Sequence, residues 1–129
     1  MTTIALLMTA LLFGGMVIYS FGFAAFLFTA LPPAVAGSTL RRAFPHFYLF
    51  VVITASIAAI LTGPEDRLAA ILLALVAVTT FPTRQILMPA INAATDSGAT
   101  TRFKVLHSVS VAISLAHILI AGIVLTRFL

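Results

Sequence analysis

Four long apolar runs dominate this chain, and almost no charge interrupts them. The runs cover residues 4–31, 44–61, 68–91 and 105–126. Each meets or approaches the roughly 20 residues that a helix needs to cross a hydrocarbon core about 30 Å thick. Only 8% of the residues are charged, whereas a globular chain carries about 25%. A soluble fold is therefore excluded.

The pattern predicts an all-α integral membrane protein: four transmembrane helices in an antiparallel bundle with short loops. We expect one domain over residues 1–129, with helices at roughly 4–31, 44–61, 67–91 and 103–127. Pro32 and Pro33 predict the end of the first helix, because proline cannot continue the helical hydrogen bonding. A short basic loop over 32–43 would follow, with Pro45 in the first turn of the second helix.

The third run contains Pro82, which predicts a kink. Proline removes one backbone hydrogen bond, and a membrane helix tolerates this loss when nearby hydroxyls bond to the backbone. Thr79, Thr80 and Thr83 are placed to do so. Pro89 and the polar segment 92–96 then predict the end of the third helix.

The basic residues indicate an orientation. Five of the seven lie on the side that holds the first and third loops: Arg41, Arg42, Arg84, Arg102 and Lys104. By the positive-inside rule this side is cytoplasmic, so we expect a multi-pass protein of the bacterial inner membrane with both termini periplasmic. The net charge of +4 then reflects topology and an attraction to anionic lipid at the cytoplasmic face. The basic residues are too scattered for a nucleic-acid surface, so no nucleic-acid partner is expected.

Arg84 is the polar residue that points most directly to function. A guanidinium stays charged at any relevant pH, and no Asp or Glu lies within the apolar runs. Its partner must be a carbonyl, a lipid phosphate, a loop acid or a bound anion. Since Arg84 lies about 10 Å from the predicted helix end on the cytoplasmic side, we expect an anionic group there: lipid phosphate first, Asp96 second, a cofactor carboxylate third.

His46 and His107 lie near the cytoplasmic ends of two helices that run in the same direction. Facing imidazoles in a four-helix bundle suit a cofactor such as haem b, and Arg84 could then pair with a propionate. The alternative is that both histidines reach interfacial water. The sequence contains no cysteine and no dense His cluster, so the identity of any metal stays unknown.

The fourth run carries polar residues at spacings of three and four, so they share one helix face. With two threonines of the third run they form a candidate ligand or polar interhelical face: Thr80, Thr83, Ser110, Ser114 and His117. The plainer interpretation is a helix–helix interface held by hydroxyls. No catalytic set of carboxylates, no Ser-His-Asp arrangement and no phosphate loop can be assembled, so we predict no catalytic residue and favour a non-enzymatic protein.

Two segment pairs resemble a known family. Residues 28–32, Gly37 and Phe44-Pro45-His46-Phe47-Tyr48 resemble the first hairpin of the transmembrane-protein-205-like family, whose bacterial members form the domain of unknown function 4149. Arg84 to Pro89 and Phe103 to Ser110 resemble its second hairpin. The resemblance implies a four-helix integral membrane protein and no settled activity.

Three function classes follow from these observations. The first is an accessory or packing subunit of a larger membrane assembly, with a membrane-protein partner or a second copy of the chain. The second is a haem- or metal-binding membrane protein. The third is a small-molecule transport or ligand-handling protein. We favour the first, because the chain is small and its loops leave no room for a soluble module.

Overall fold

A computed structural model of the protein describes residues 2–129, and it contains four long helices. They are α1 (Thr2–Ala30), α2 (Pro33–Thr62), α3 (Arg67–Asp96) and α4 (Thr100–Thr126), each long and apolar enough to cross a membrane. The described residues form no strand. The predicted all-α class is therefore confirmed.

The helices form an antiparallel bundle because only two to four residues connect each to the next. α2 packs against α1 and α3, and α4 packs against the same two neighbours. α2 and α4 therefore face each other across one diagonal. The loops 31–32 and 97–99 lie together at one end, which we call the basic end because α2 and α4 carry most of their basic residues near it.

The core occupies the middle of the bundle and the end opposite the basic end. Its members come from all four helices: Leu12, Met16, Phe47, Tyr48, Val51, Ala55, Ala58, Ala69, Leu73, Val76, Ala77, Ala121 and Val124. Many large aliphatic side chains point outward instead, among them Ile18, Ile60 and Ile86, which are 68%, 76% and 71% exposed. A polypeptide with this exterior needs hydrocarbon as its solvent.

The start of α2 differs from the prediction. The segment 33–43, expected to be a loop, is helical, and Pro33 occupies the first turn of the helix. Proline is tolerated there because its missing N–H would have no partner in that turn. Pro45 consequently lies inside α2, where it leaves the carbonyl of Arg41 without its helical donor.

α3 also extends beyond its predicted end at residue 91 and reaches Asp96. The reason lies in a π-helical turn over Thr83–Leu87, directly after Pro82. The wider turn places Pro89 at the beginning of the α-helical segment Met88–Asp96, where a missing N–H is harmless. At the predicted kink, the Thr83 hydroxyl donates to the carbonyl of Thr79 at 2.9 Å.

A second π-helical turn, Ile18–Phe23, divides α1. Its Tyr19 ring stacks on Phe47 of α2, with centroids 4.4 Å apart and planes 5° apart. Before this turn, Thr2–Val17 packs on both α2 and α4; after it, Ala24–Ala30 packs on α2. The turn thus coincides with the point where α1 leaves α4.

Candidate functional site

A cavity of about 640 Å³ lies within the bundle near the basic end. The first half of α2, the last part of α3 and the first part of α4 line it, Phe28 of α1 contributes one side, and the cavity is partly open to the outside. Its lining residues are Phe28, Pro33, Ala34, Gly37, Ser38, Leu40, Arg41, Phe44, Tyr48, Met88, Ile91, Asn92, Ala94, Thr95, Gly98, Thr100, Phe103, His107 and Ser110.

The cavity exists because the facing helices cannot fill the diagonal between them at this end. α2 presents Ala34 and Gly37 to the gap, and α3 presents Ala94. A Cβ atom added to Gly37 would meet no atom within 4 Å. Small side chains therefore leave space here, whereas Leu12, Leu73 and other large residues fill the opposite half.

The wall is mostly apolar by surface, and its polar side chains are Ser38, Arg41, Tyr48, Asn92, Thr95, Thr100, His107 and Ser110. Tyr48 and Asn92 line the cavity, and neither side chain hydrogen-bonds to another described residue. The His107 ring stacks on Phe103, with centroids 5.4 Å apart and planes 9° apart. The wall therefore offers a hydroxyl, a carboxamide and an imidazole to whatever enters.

An ion pair connects α2 and α3 beside the cavity. The guanidinium of Arg41 donates to both carboxylate oxygens of Asp96, at 2.7 and 2.8 Å. Both side chains are about half exposed, at 43% and 59%. Bidentate geometry of this kind fixes the orientation of both groups. The charge of Arg41 at the cavity is thereby compensated within the chain.

Arg84 does not pair with Asp96, which stood second in the predicted order of partners after a lipid phosphate. Its Nε donates to the main-chain carbonyl of Pro45 at 3.0 Å, and its Nη1 donates to the side-chain oxygen of Gln85 at 2.7 Å. A carbonyl is one of the four partner types that the sequence allows for Arg84, but the sequence favours an anionic group. Arg84 is also 12 residues from the end of α3 at Asp96, about 18 Å at 1.5 Å per residue.

His117 belongs to a second, smaller polar cluster deeper in the bundle. The Thr79 hydroxyl donates to the carbonyl of Leu75 at 2.7 Å. Its oxygen also lies 2.7 Å from Nε2 of His117, within hydrogen-bond distance, with the donor set by the imidazole tautomer. This bond joins α3 to α4.

A cavity of about 10 Å³ adjoins this cluster and is lined in part by Ser20, Thr80, Ser114 and His117. The Ser20 hydroxyl is buried and has no hydrogen-bond partner among the described residues. Tyr48 lines both cavities, so its ring separates the small polar cluster from the large apolar space.

The structure distributes the predicted polar face between these two places. Thr80, Ser114 and His117 meet at the small cavity. Ser110 lines the large one, where its hydroxyl donates to the carbonyl of His107 at 2.8 Å. Thr83 is buried and bonds within its own helix.

His46 and His107 are not brought to one space. Both side chains are exposed, and His107 lines the large cavity while His46 does not. His46 is two residues from both Phe44 and Tyr48, so at 100° per residue it lies on the opposite face of α2. No group of three or more His, Cys, Asp or Glu side chains with metal-binding geometry occurs within residues 2–129.

Sequence reasoning missed Tyr48, Asn92 and Arg41 as members of a site. One signal was present for two of them: Arg41, Phe44 and Tyr48 follow at spacings of three and four, so they share a helix face. That signal required α2 to be helical before residue 44, which the prolines argued against. The position of Asn92 in a supposed loop hid it in the same manner.

The four apolar helices and the internal cavity define a multi-pass integral membrane protein of the four-helix class. Residues 7–100 match the family described as Domain of unknown function (DUF4149). The match spans most of the chain, so the protein belongs to this family, and the resemblance drawn from the sequence is confirmed. It ends at the first residue of α4, before Phe103 and His107. No match was found among curated proteins or among solved structures.

Proposed function

We propose that this protein is a ligand-handling membrane protein that holds one amphipathic small molecule in the large cavity. The observation that carries the proposal is the cavity itself, about 640 Å³ of partly open space between three helices. Ligand sites in proteins measure about 300–1,000 Å³ and combine apolar walls with a few polar groups. Tyr48, Asn92 and His107 are such groups in a wall whose surface is mostly apolar.

The path of α1 supports access from the bilayer. Its segment Ala24–Ala30 packs on α2, whereas Thr2–Val17 packs on α4 as well. Between Ala24–Ala30 and the first part of α4, the bundle therefore has a side facing lipid, and Phe28 lines the cavity there. A ligand with an apolar tail can reach the cavity through this side, because the tail stays in hydrocarbon throughout.

The membrane and orientation belong to the same proposal. We place the protein in the bacterial inner membrane with the basic end cytoplasmic and both termini periplasmic. The support is the position of Arg41, Arg42, Arg102 and Lys104 near that end. Fusion of a periplasm-only reporter to each terminus in turn tests the orientation, and a silent reporter at either terminus contradicts it.

The binding proposal is tested by filling the cavity. Gly37→Leu adds a side chain to open space at the wall. Gly14→Leu is the matched control, because a Cβ at Gly14 also meets nothing within 4 Å and Gly14 does not line the cavity. Native mass spectrometry of each protein, released from micelles, measures retained small molecules. We expect a bound species in the wild type and the control, and its loss in Gly37→Leu.

Equal retention by Gly37→Leu and the wild type contradicts binding in this cavity. A wild type that carries no small molecule, and takes none up from added membrane extract, contradicts it as well. Either result would favour the accessory-subunit function, which the sequence alone also favours. That second candidate has its own support in the open surface at Gly14, four residues after Ala10, since small residues at this spacing allow a partner helix to approach.

The haem-binding alternative receives less support. Only His107 of the predicted pair lines the cavity, and Arg84 is engaged by the carbonyl of Pro45. A reduced-minus-oxidised absorbance spectrum of the purified protein tests this alternative directly. A haem band that disappears in His107→Phe would restore it.

A further inference from the structure

We infer that the cavity selects an uncharged ligand whose head is a flat ring carrying carbonyl or hydroxyl oxygens, as in a quinone with an alkyl tail. This inference rests on the proposed function and specifies its ligand class. Charge, hydrogen bonding and ring contacts in the cavity wall each support it.

Charge compensation in the wall argues against an anionic head. Arg41 is the only Lys or Arg among the lining residues. Both of its terminal nitrogens already donate to the carboxylate of Asp96. An anion placed beside this pair would gain no free cation and would lose its own hydration, which is costly in an apolar site. Arg84 offers no substitute, since its guanidinium binds Pro45 and Gln85.

The free hydrogen-bonding groups complement a neutral oxygen. Tyr48 and Asn92 both line the cavity, and neither side chain has a hydrogen-bond partner among the described residues. Tyr48 is buried, at 7% exposed, and Asn92 is partly exposed. A bond from the ligand would stabilise the Tyr48 phenol most, because water reaches this side chain poorly. Both side chains can donate to a carbonyl oxygen, and both can accept from a hydroxyl.

The aromatic side chains supply flat surfaces for a ring. Phe28, Phe44 and Phe103 line the cavity on three different helices. Phe103 and His107 already stack on each other, so each keeps its other face and its edge for contact with a ligand ring. Offset stacking and edge contacts favour a ring over a branched or saturated head. The alkyl tail would then lie along the side of the bundle between Ala24–Ala30 and α4.

Three probes with the same ten-carbon tail separate the head groups: a decyl-substituted benzoquinone, decylbenzene and decyl phosphate. Each is titrated by isothermal calorimetry into the protein in nanodiscs of neutral lipid, with empty nanodiscs as the blank. We expect the quinone to bind most tightly. Tyr48→Phe and Asn92→Leu should each weaken quinone binding about 2- to 10-fold, the range for one lost hydrogen bond, and should leave decylbenzene binding unchanged.

Tyr19→Phe is the matched control, because Tyr19 does not line the cavity and should leave quinone binding unchanged. His107→Phe keeps an aromatic ring and removes the imidazole nitrogens, so it separates stacking from hydrogen bonding by that side chain. Tighter binding of decyl phosphate than of the quinone overturns the inference. So does equal binding of quinone and decylbenzene with no effect of Tyr48→Phe or Asn92→Leu.

A different result contradicts the proposed function: Gly37→Leu would then bind the quinone as tightly as the wild type does. If Gly37→Leu abolishes binding of all three probes while the head group makes no difference, the cavity site stands and the ligand class assigned here is wrong. Circular dichroism of every variant confirms that the helices are intact.

Discussion

The Nε atom of Arg84 donates to the main-chain carbonyl of Pro45 at 3.0 Å. This bond joins α3, just after its internal proline at position 82, to α2 at its own internal proline. The guanidinium of Arg84 therefore belongs to a segment with irregular backbone geometry, because Arg84 lies in the π-helical turn Thr83–Leu87. A guanidinium is satisfied here by carbonyl and amide oxygens, with no acid of the chain in contact.

Replacement of Arg84 should therefore loosen the contact between α2 and α3. We expect Arg84→Met to lower the free energy of unfolding by about 1.5–3 kcal/mol, the range for a hydrogen bond to a charged group. Arg84→Lys should fall in between, because an ammonium can reach Pro45 but lacks the planar fork that also reaches Gln85. Unfolding by SDS titration from mild detergent measures both. An unchanged midpoint for Arg84→Met contradicts a structural role for this bond.

The ion pair between Arg41 and Asp96 should control which head groups the cavity accepts. Asp96→Asn leaves Arg41 as a free cation at the wall, so we expect decyl phosphate to gain affinity relative to the decyl-substituted quinone. The double variant Arg41→Gln with Asp96→Asn removes both charges and should restore the preference for the quinone. Stability should change little, by about 0.2–1 kcal/mol, because the pair is partly exposed. Unaltered phosphate affinity in Asp96→Asn argues against this control.

Gly14 and Gly15 are neighbours with opposite expected responses to the same substitution. A Cβ at Gly15 would lie 2.6 Å from the ring of Phe50, whereas one at Gly14 meets nothing within 4 Å. Gly15→Ala must displace that ring, and overpacking of this kind costs about 1–3 kcal/mol. Gly14→Ala should instead stabilise the helix by up to about 1 kcal/mol. Parallel SDS titrations compare the two, and the same sign for both would show that Phe50 moves freely.

The end opposite the basic end should respond to acid. The Arg127 guanidinium, which donates to Asp66 at 2.6 Å, holds the pKa of that carboxyl below its ordinary value of 3.8. The N–H of Ala69 lowers this pKa further by donating at 3.0 Å. Since the pKa is lower in the folded state, the stabilisation is complete above the ordinary value and disappears as the pH falls through the folded value.

Thermal unfolding in detergent between pH 7 and pH 2.5 measures this effect. We expect the midpoint of the wild type to fall below about pH 4, as the unfolded carboxyl begins to bind protons. Asp66→Asn should begin less stable at pH 7 and lose part of that dependence, because its amide cannot titrate. The same slope in both proteins assigns the acid response to other groups of the chain.

The number and type of helices were predictable because hydropathy is summed over about 20 residues, and single exceptions do not alter the sum. The start of α2 and the end of α3 were not predictable, because a proline fits both at the start of a helix and at an internal irregularity. Pro45 was predicted in a first turn and lies inside α2. Pro89 was predicted at a helix end and lies at the start of the segment Met88–Asp96. A π-helical turn before Pro89 moves it into the first turn of a new segment. Such turns have no simple sequence pattern.

The cavity escaped prediction for a different reason. It arises where Gly37 and Ala94 come into the same space from different helices, and no local pattern relates two positions 57 residues apart. Ser110 was predicted as part of the polar helix face and His107 as one of the histidine pair, and both line the cavity. His46 was paired with His107 because both lie near the same end of their helices. The position of a residue along a helix does not determine the direction in which its side chain points.

Because α1 leaves α4 after its π-helical turn, the cavity has a side that faces lipid, and this determines where a ligand comes from. A ligand that arrives from the side is drawn from molecules dissolved in the lipid, so its partition into the bilayer sets its effective abundance. Weak binding by the protein then suffices for high occupancy of the cavity, and tail length matters through solubility in lipid as much as through contact with the chain. Such a protein would follow the composition of its membrane and remain nearly indifferent to solutes in the surrounding water.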